Sequence, residues 1–404
     1  MRGLLRFPLK KPKTHAKLNG QADIARTGII EDISRKGVGR VENKELSGRL
    51  TIDAKAIARI ALRTGLQVGT ILGAKAAYDS VFKRYEKRDI NTVFGEFDYS
   101  RVEKRLPRTT FFFPSGRWKL QGYFYPCEGA KGMVVVCHGM HAGADDYIPF
   151  IEYFVRNGYA VFTYDCQGTY ASEGNSTVGM CTPLVNLDHA LTYIENDQQF
   201  SQYPLFLFGH SWGGYAATAV LSLHKNIRAC AAVAPFNSGY TLFVEKGEQF
   251  IGPFSEMLKF DFPEEFLNTY QTLLFKDYTK HNAVKGINST KLPVYIAHGN
   301  RDFVISFGHQ SVISHRAEIR KRNVKYYIGT DAQAGHNTIL HSLRAIAYQE
   351  KVEKDLKRLK KEYDRELTQE EQAEFCSGVD HALYSEVNME MMQEILNMFN
   401  KALK

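Results

Sequence analysis

A serine hydroxyl attacks a carbonyl only when a base takes its proton and a carboxylate orients that base. The chain offers such a set in Ser211, His336 and Asp302. Ser211 lies in Gly209-His210-Ser211-Trp212-Gly213, Asp302 in His298-Gly299-Asn300-Arg301-Asp302, and His336 in Ala334-Gly335-His336-Asn337. Any one of the 13 histidines would be weak evidence alone. The order serine, acid, histidine, with acid and histidine each just past an apolar run, reads as a hydrolytic triad: Ser211 the nucleophile, His336 the general base, Asp302 the orienting acid. The oxyanion that forms needs two positioned donors. The backbone N–H of Trp212 follows the nucleophile, and that of Met140 lies in the loop His138-Gly139-Met140-His141; these two are read as the oxyanion hole. His138 and His210 read as structural, hydrogen-bonded beneath the site, and Asp165 as a turn former. His141, Phe236 and Tyr240 are offered as substrate contacts.

These residues need a frame. Residues 205–208 are a short apolar run after Pro204 and predict a buried strand. Residues 214–223 are small and helix-forming. Strand, Gly-x-Ser-x-Gly and helix make the setting of a nucleophile elbow. There a sharp turn lifts the hydroxyl above a sheet, glycines relieve the crowding, and a helix N-terminus supplies amide donors.

From Arg108 onward strands and helices alternate. Residues 109–113 and Trp118–Tyr125 predict a hairpin through Pro114-Ser115-Gly116. Met133–Cys137, Ile227–Val233 and residues 159–164, 294–297 and 324–328 predict further strands, with helices near 146–157, 184–196 and 310–321. Continuous apolar strands between helices mean an α/β fold: a mostly parallel twisted sheet with helices on both faces, binding ligands beyond the carboxyl ends of its strands.

Two insertions interrupt the alternation. Residues 237–290 are rich in aromatic side chains, from Tyr240, Phe243 and Phe250 to Tyr270, Phe275 and Tyr278. They are expected to form a cap over an apolar pocket, with the rings packing only among themselves as the rival reading. Residues 341–385 are charged and predict solvated helix. Residues 388–403 predict an amphipathic helix against the sheet. Residues 1–107 form a basic, partly helical N-terminal extension, with an arm at 1–50 and helix over 52–88. Residues 108–404 form the α/β domain.

Residues 109–340 resemble the α/β-hydrolase superfamily through the elbow at 209–213, His138-Gly139, Asp165 to Gly168, Asp302 and His336. The stretch from His138 to Tyr147, with its second histidine and distal tyrosine, resembles the serine aminopeptidase-like, monoglyceride-lipase-like branch. In that branch the second histidine usually follows later than His141 does here. The resemblance implies hydrolysis through an acyl-enzyme on Ser211, with no metal and no organic cofactor. Residues 1–108 and 341–385 lie outside the part that resembles the family.

Composition bounds the setting. The chain has 404 residues, 44% hydrophobic and 24% charged, as in an ordinary globular protein. Its net charge of +8 is uneven: residues 1–108 hold 24 Lys/Arg against 12 Asp/Glu, and the remainder 28 against 32. The basic quarter points to an anionic membrane surface as a partner, with a solvated arm as the plainer reading. No nucleic-acid motif is present. The six cysteines form no CxxC pair or zinc-spaced cluster, and Cys137, Cys166 and Cys230 fall in core strands, which fits a reducing, cytoplasmic setting with peripheral membrane attachment as a second reading. No apolar run is long enough to span a bilayer, and residues 1–20 lack the apolar stretch of a secretory signal.

Three functions compete. The first is cleavage of a carboxylic ester with an apolar portion, such as a lysolipid or monoacylglycerol, a small-molecule acyl substrate. The second is a serine peptidase or amidase, for which Glu245, Glu248, Glu256, Asp261, Glu264 and Glu265 supply unpatterned carboxylates. The third is a hydrolase-fold protein whose basic arm binds a lipid surface.

Overall fold

A computed structural model describes residues 75–76, 78–242, 245, 264–320 and 322–404. The arm at 1–50, most of the helix expected over 52–88, and Phe243 and Phe250 of the expected cap lie outside the described residues.

Eight strands form one sheet in the order β1-β2-β4-β3-β5-β6-β7-β8. Strands β1 (Thr109–Ser115) and β2 (Trp118–Tyr125) pair as an antiparallel hairpin, turned by Gly116 at φ 61°, and β2 runs antiparallel to β4 (Ala160–Tyr164). The other pairings are parallel, through β3 (Met133–Cys137), β5 (Leu205–His210), β6 (Ile227–Val233), β7 (Val294–Gly299) and β8 (Val324–Gly329). β3, β4 and β5 are buried at every residue, because helices cover both faces.

Side chains alternate along each strand, so the sheet divides two cores. Val135, Phe162 and Leu207 point to one, packed with α2 (Thr182–Asn196) and α3 (Trp212–Ala219). Val134, Val136, Phe206 and Phe208 point to the other, packed with α1 (Ile148–Arg156) and the C-terminal helix Met389–Lys401. The C-terminal helix sets Met391, Ile395 and Phe399 against the sheet, as its amphipathic pattern predicts. This is the α/β-hydrolase fold expected from the resemblance.

Two predicted helices differ. Residues 310–320 form successive turns with hydrogen bonds three residues apart, such as His315 N–H to Val312 O and Arg316 N–H to Ile313 O. Ser311 and Ser314 bond the local backbone, and Val312 N–H is drawn away to Pro235 O, so no helical ladder can run through. The helix expected through 88 stops by Phe82; Lys83 and Tyr85 are extended and bridge to Ser176 and Thr169. The charged stretch is helical as predicted, over Leu343–Tyr363, Gln369–Ser377 and His381–Tyr384. Within 237–290, helices span Glu264–Phe275 and Ala283–Asn288.

Candidate active site

Strand β5 runs into α3 with one residue between them, Ser211, at φ 55° and ψ −114°. That left-handed conformation costs a non-glycine residue about 1–3 kcal/mol and persists only where its surroundings enforce it. They do: Ser211 N–H bonds Val233 O at 2.8 Å, and Tyr215 N–H bonds Ser211 O at 2.9 Å. A Cβ on Gly213 would stand 2.2 Å from Cys137 O, so only glycine lets the helix start this close to β3. The Trp212 indole, 1% exposed, donates to Met180 O at 2.9 Å and anchors the first turn.

The loops after β7 and β8 bring Asp302 and His336 to this point. His336 Nε2 lies 2.9 Å from Ser211 Oγ, and His336 Nδ1 lies 2.7 Å from Asp302 Oδ2. Asp302 Oδ1 accepts the N–H groups of Val304 and Ile305, each at 2.8 Å. Burial alone would raise the Asp302 pKa; hydrogen bonds from His298 and His336 outweigh it and hold the carboxyl well below its usual range. With carboxylate on Nδ1, the neutral imidazole keeps its proton there and turns its lone pair on Nε2 toward the serine.

Sequence reasoning missed His298. It is fully buried, and its Nε2 donates to Ile305 O at 3.0 Å and Asp302 Oδ2 at 3.1 Å. A histidine four residues before the acid, at the end of the same strand, was the available signal.

The opposite wall is the loop after β3. A Cβ built on Gly139 would lie 3.6 Å from Ser211 Cβ, so this loop passes directly beside Ser211. Among the described residues, no protein acceptor takes the backbone N–H of Met140 or of Trp212. His141 follows at φ 64°. The two expected structural histidines are both buried and bonded. His138 Nδ1 donates to Gly139 O at 2.7 Å and its Nε2 accepts from Cys166 N–H at 2.9 Å, which fixes a neutral ring; burial lowers its pKa.

His210 joins the two walls. Its Nε2 faces His336 O at 3.2 Å, an acceptor only, so Nε2 carries the proton. Its Nδ1 then accepts from Tyr147 Oη at 2.8 Å, and Tyr147 Oη accepts from Gly139 N–H at 2.9 Å. Burial and the nearby His336 push the His210 pKa down to about 3. Tyr147 is therefore a link between the loop and the histidine, a role its sequence position does not disclose.

Asp165 is more than a turn former. It is fully buried and receives Tyr123 Oη at 2.8 Å, Ala144 N–H at 2.8 Å and Ala171 N–H at 3.3 Å; burial pushes its pKa up to about 6. Of the residues offered as substrate contacts, Tyr240 is half-buried after β6. Phe236 is 1% exposed and stacks on Tyr215 at 4.6 Å, and it belongs to the core instead. The His141 ring stacks on Tyr85, with centroids 4.1 Å apart. Among the described residues no cluster of His, Cys, Asp or Glu could hold a metal ion, and no helix is long and apolar enough to cross a membrane.

Residues 128–272 match the Hydrolase_4 family, described as serine aminopeptidase, S33. Among curated proteins none matches the chain. Solved structures similar to it include an esterase of Pyrococcus furiosus, 20% identical, covering 69% of this chain and 98% of that one with a TM-score of 0.47. The Est1E protein of Butyrivibrio proteoclasticus, with ferulic acid bound, is 16% identical, with coverages of 56% and 90% and a TM-score of 0.43. An acylaminoacyl peptidase of Pyrococcus horikoshii is 15% identical, with coverages of 59% and 39% and a TM-score of 0.42.

Proposed function

We propose, from the match of residues 128–272 to the Hydrolase_4 family and from the mostly parallel α/β sheet, that the chain is a serine hydrolase that cleaves a carboxylic ester through an acyl-enzyme. The observation that carries the reading is the continuous path from Ser211 Oγ through the His336 ring to Asp302, with both hydrogen bonds under 3 Å. His336 Nε2 takes the hydroxyl proton as Oγ attacks the ester carbonyl, and the Asp302 carboxylate stabilises the imidazolium that results. The N–H groups of Met140 and Trp212 receive the oxyanion. His336 then protonates the departing alcohol. A water molecule repeats the cycle in reverse, freeing the acid and restoring Ser211.

An acyl group with an apolar portion is the substrate this reading favours, on the aromatic content of residues 237–290. Hydrolysis of p-nitrophenyl esters of graded chain length tests it. Turnover by the wild type, with Ser211→Ala lower in kcat by about five orders of magnitude, is the expected result. Equal turnover by both proteins rejects it.

A peptidase or amidase on the same residues is a second reading, favoured by the description of the matching family. Faster cleavage of aminoacyl arylamides than of esters would put it first. The basic charge of residues 1–108 supports an added role at an anionic membrane surface. Sedimentation with anionic vesicles, lost on deleting residues 1–50, reads that role.

A further inference from the structure

The loop that carries Met140 is held by a segment outside the family match. Residues 81–88 run along it and are themselves pinned to the neighbouring loop, residues 168–177. Tyr85 N–H bonds Gly168 O at 2.9 Å, Tyr170 N–H bonds Tyr85 O at 2.8 Å, and Thr177 N–H bonds Phe82 O at 2.8 Å. The Arg84 guanidinium donates to three carbonyls there, those of Tyr170, Ser172 and Gly174. Lys87 reaches Asp145 at 2.7 Å, and Arg88 pairs with Asp146, which in turn accepts Gly143 N–H at 2.8 Å.

One contact in this strap falls on the residue next to Met140. His141 directly follows Met140 and holds a left-handed backbone, φ 64°, which a β-carbon disfavours. Its imidazole lies flat on the Tyr85 ring, 4.1 Å between centroids and 20° between planes, and also meets the Val81 backbone. The Met140 N–H sits in the peptide just before, between Gly139 and Met140, so a shift of His141 that broke this stack would displace the loop from which that N–H projects.

We infer that Tyr85 is a positioning residue for the oxyanion hole: by stacking on His141 it holds in place the residue next to Met140, and with it the loop that presents the Met140 N–H to the reacting carbonyl. The inference rests on the serine-hydrolase reading above. Removing an oxyanion donor outright costs about 10²–10³ in kcat. Loosening one without removing it is a smaller loss, about tenfold.

The test uses the full chain and two readouts, p-nitrophenyl ester kinetics and the saturable rate of fluorophosphonate labelling at Ser211. Tyr85→Ala should lower kcat and the maximal labelling rate about tenfold, with KM and the half-saturating probe concentration within about twofold of wild type. Tyr85→Phe keeps the ring and should restore both. His141→Ala, which also gives up the Val81 contact, should lose at least as much as Tyr85→Ala, and the double variant should lose no more than His141→Ala alone, since the stack is deleted in all three. Should Tyr85→Ala fail to fold, Tyr85→Leu, which keeps apolar bulk but no ring, carries the same expectation.

Wild-type rates in the alanine or leucine variant overturn the inference. So does a rise in KM at unchanged kcat, a fall in Tyr85→Phe as deep as in Tyr85→Ala, or additive losses in the double variant. A wild type that neither labels nor hydrolyses defeats the hydrolase reading itself. One that labels but spares esters defeats only the ester, and the labelling rates still decide the role of Tyr85.

Discussion

The two walls of the site are built differently. The wall of Ser211, Asp302 and His336 hangs on strand ends: β5, β7 and β8 fix where each loop begins, and close packing against β3 fixes the elbow. The wall of Gly139, Met140 and His141 leaves β3 as a strained loop and depends on tethers from elsewhere, Tyr147 beneath it and residues 81–88 beside it. A group set by a sheet has few ways to move. A group set by side-chain contacts can be loosened one contact at a time. The proposed reaction uses both walls, so the second is where its rate can be varied without abolishing it.

That contrast can be broken or sharpened experimentally. The largest effect belongs to the strand-borne wall. Asp302→Asn leaves the geometry in place but favours the wrong imidazole tautomer, and kcat should fall by about 10⁴. His298→Asn, which removes one of two imidazole donors to the same carboxylate, should cost less, about tenfold. A loss in Asp302→Asn no greater than tenfold would put both walls on one footing.

Tyr147→Phe comes next. It strips the partner from Gly139 N–H and from His210 Nδ1, two buried groups, and should destabilise the fold by about 2–4 kcal/mol in urea titrations. Its kcat should fall with the loop wall, near the Tyr85→Ala value. An unchanged urea midpoint would deny that the Tyr147 hydroxyl bridges the walls.

The smallest effect is a pH slope. His210 sits in the fold with its pKa lowered to about 3, against about 6.5 in an unfolded chain. Between those values the unfolded chain binds the extra proton, so this group makes the fold less stable as pH falls from about 6.5 toward 3. His210→Asn, which can still donate to His336 O and accept from Tyr147, should flatten the stability curve between pH 6 and 4. A curve parallel to wild type would mean that His210 does not join the walls as a neutral ring.

The elbow, the serine-acid-histidine order and the parallel strands were legible because each is local. A glycine pair around Ser211, an acid just past an apolar run and continuous runs such as Met133–Cys137 carry their meaning within a few residues. Met140 and Trp212, the proposed oxyanion donors, were chosen only as neighbours of such features. Residues 310–320 misled because their composition suits a helix while two serines and the pull of Pro235 O decide for turns. Phe236 misled because an aromatic residue just past a strand reads the same whether it lines a site or stacks on Tyr215.

By itself, then, the amino-acid sequence determined which groups could react and on what frame. Periodicity and steric demand act over one strand or one turn, and they leave a trace in adjacent residues. Only the tertiary structure decided how the groups are held: Tyr147 to His210, His298 to Asp302, Tyr85 to His141. Each of these contacts joins separate loops or segments, and nothing in either partner's local pattern records the other. Their geometry exists only once the sheet has brought the loops together.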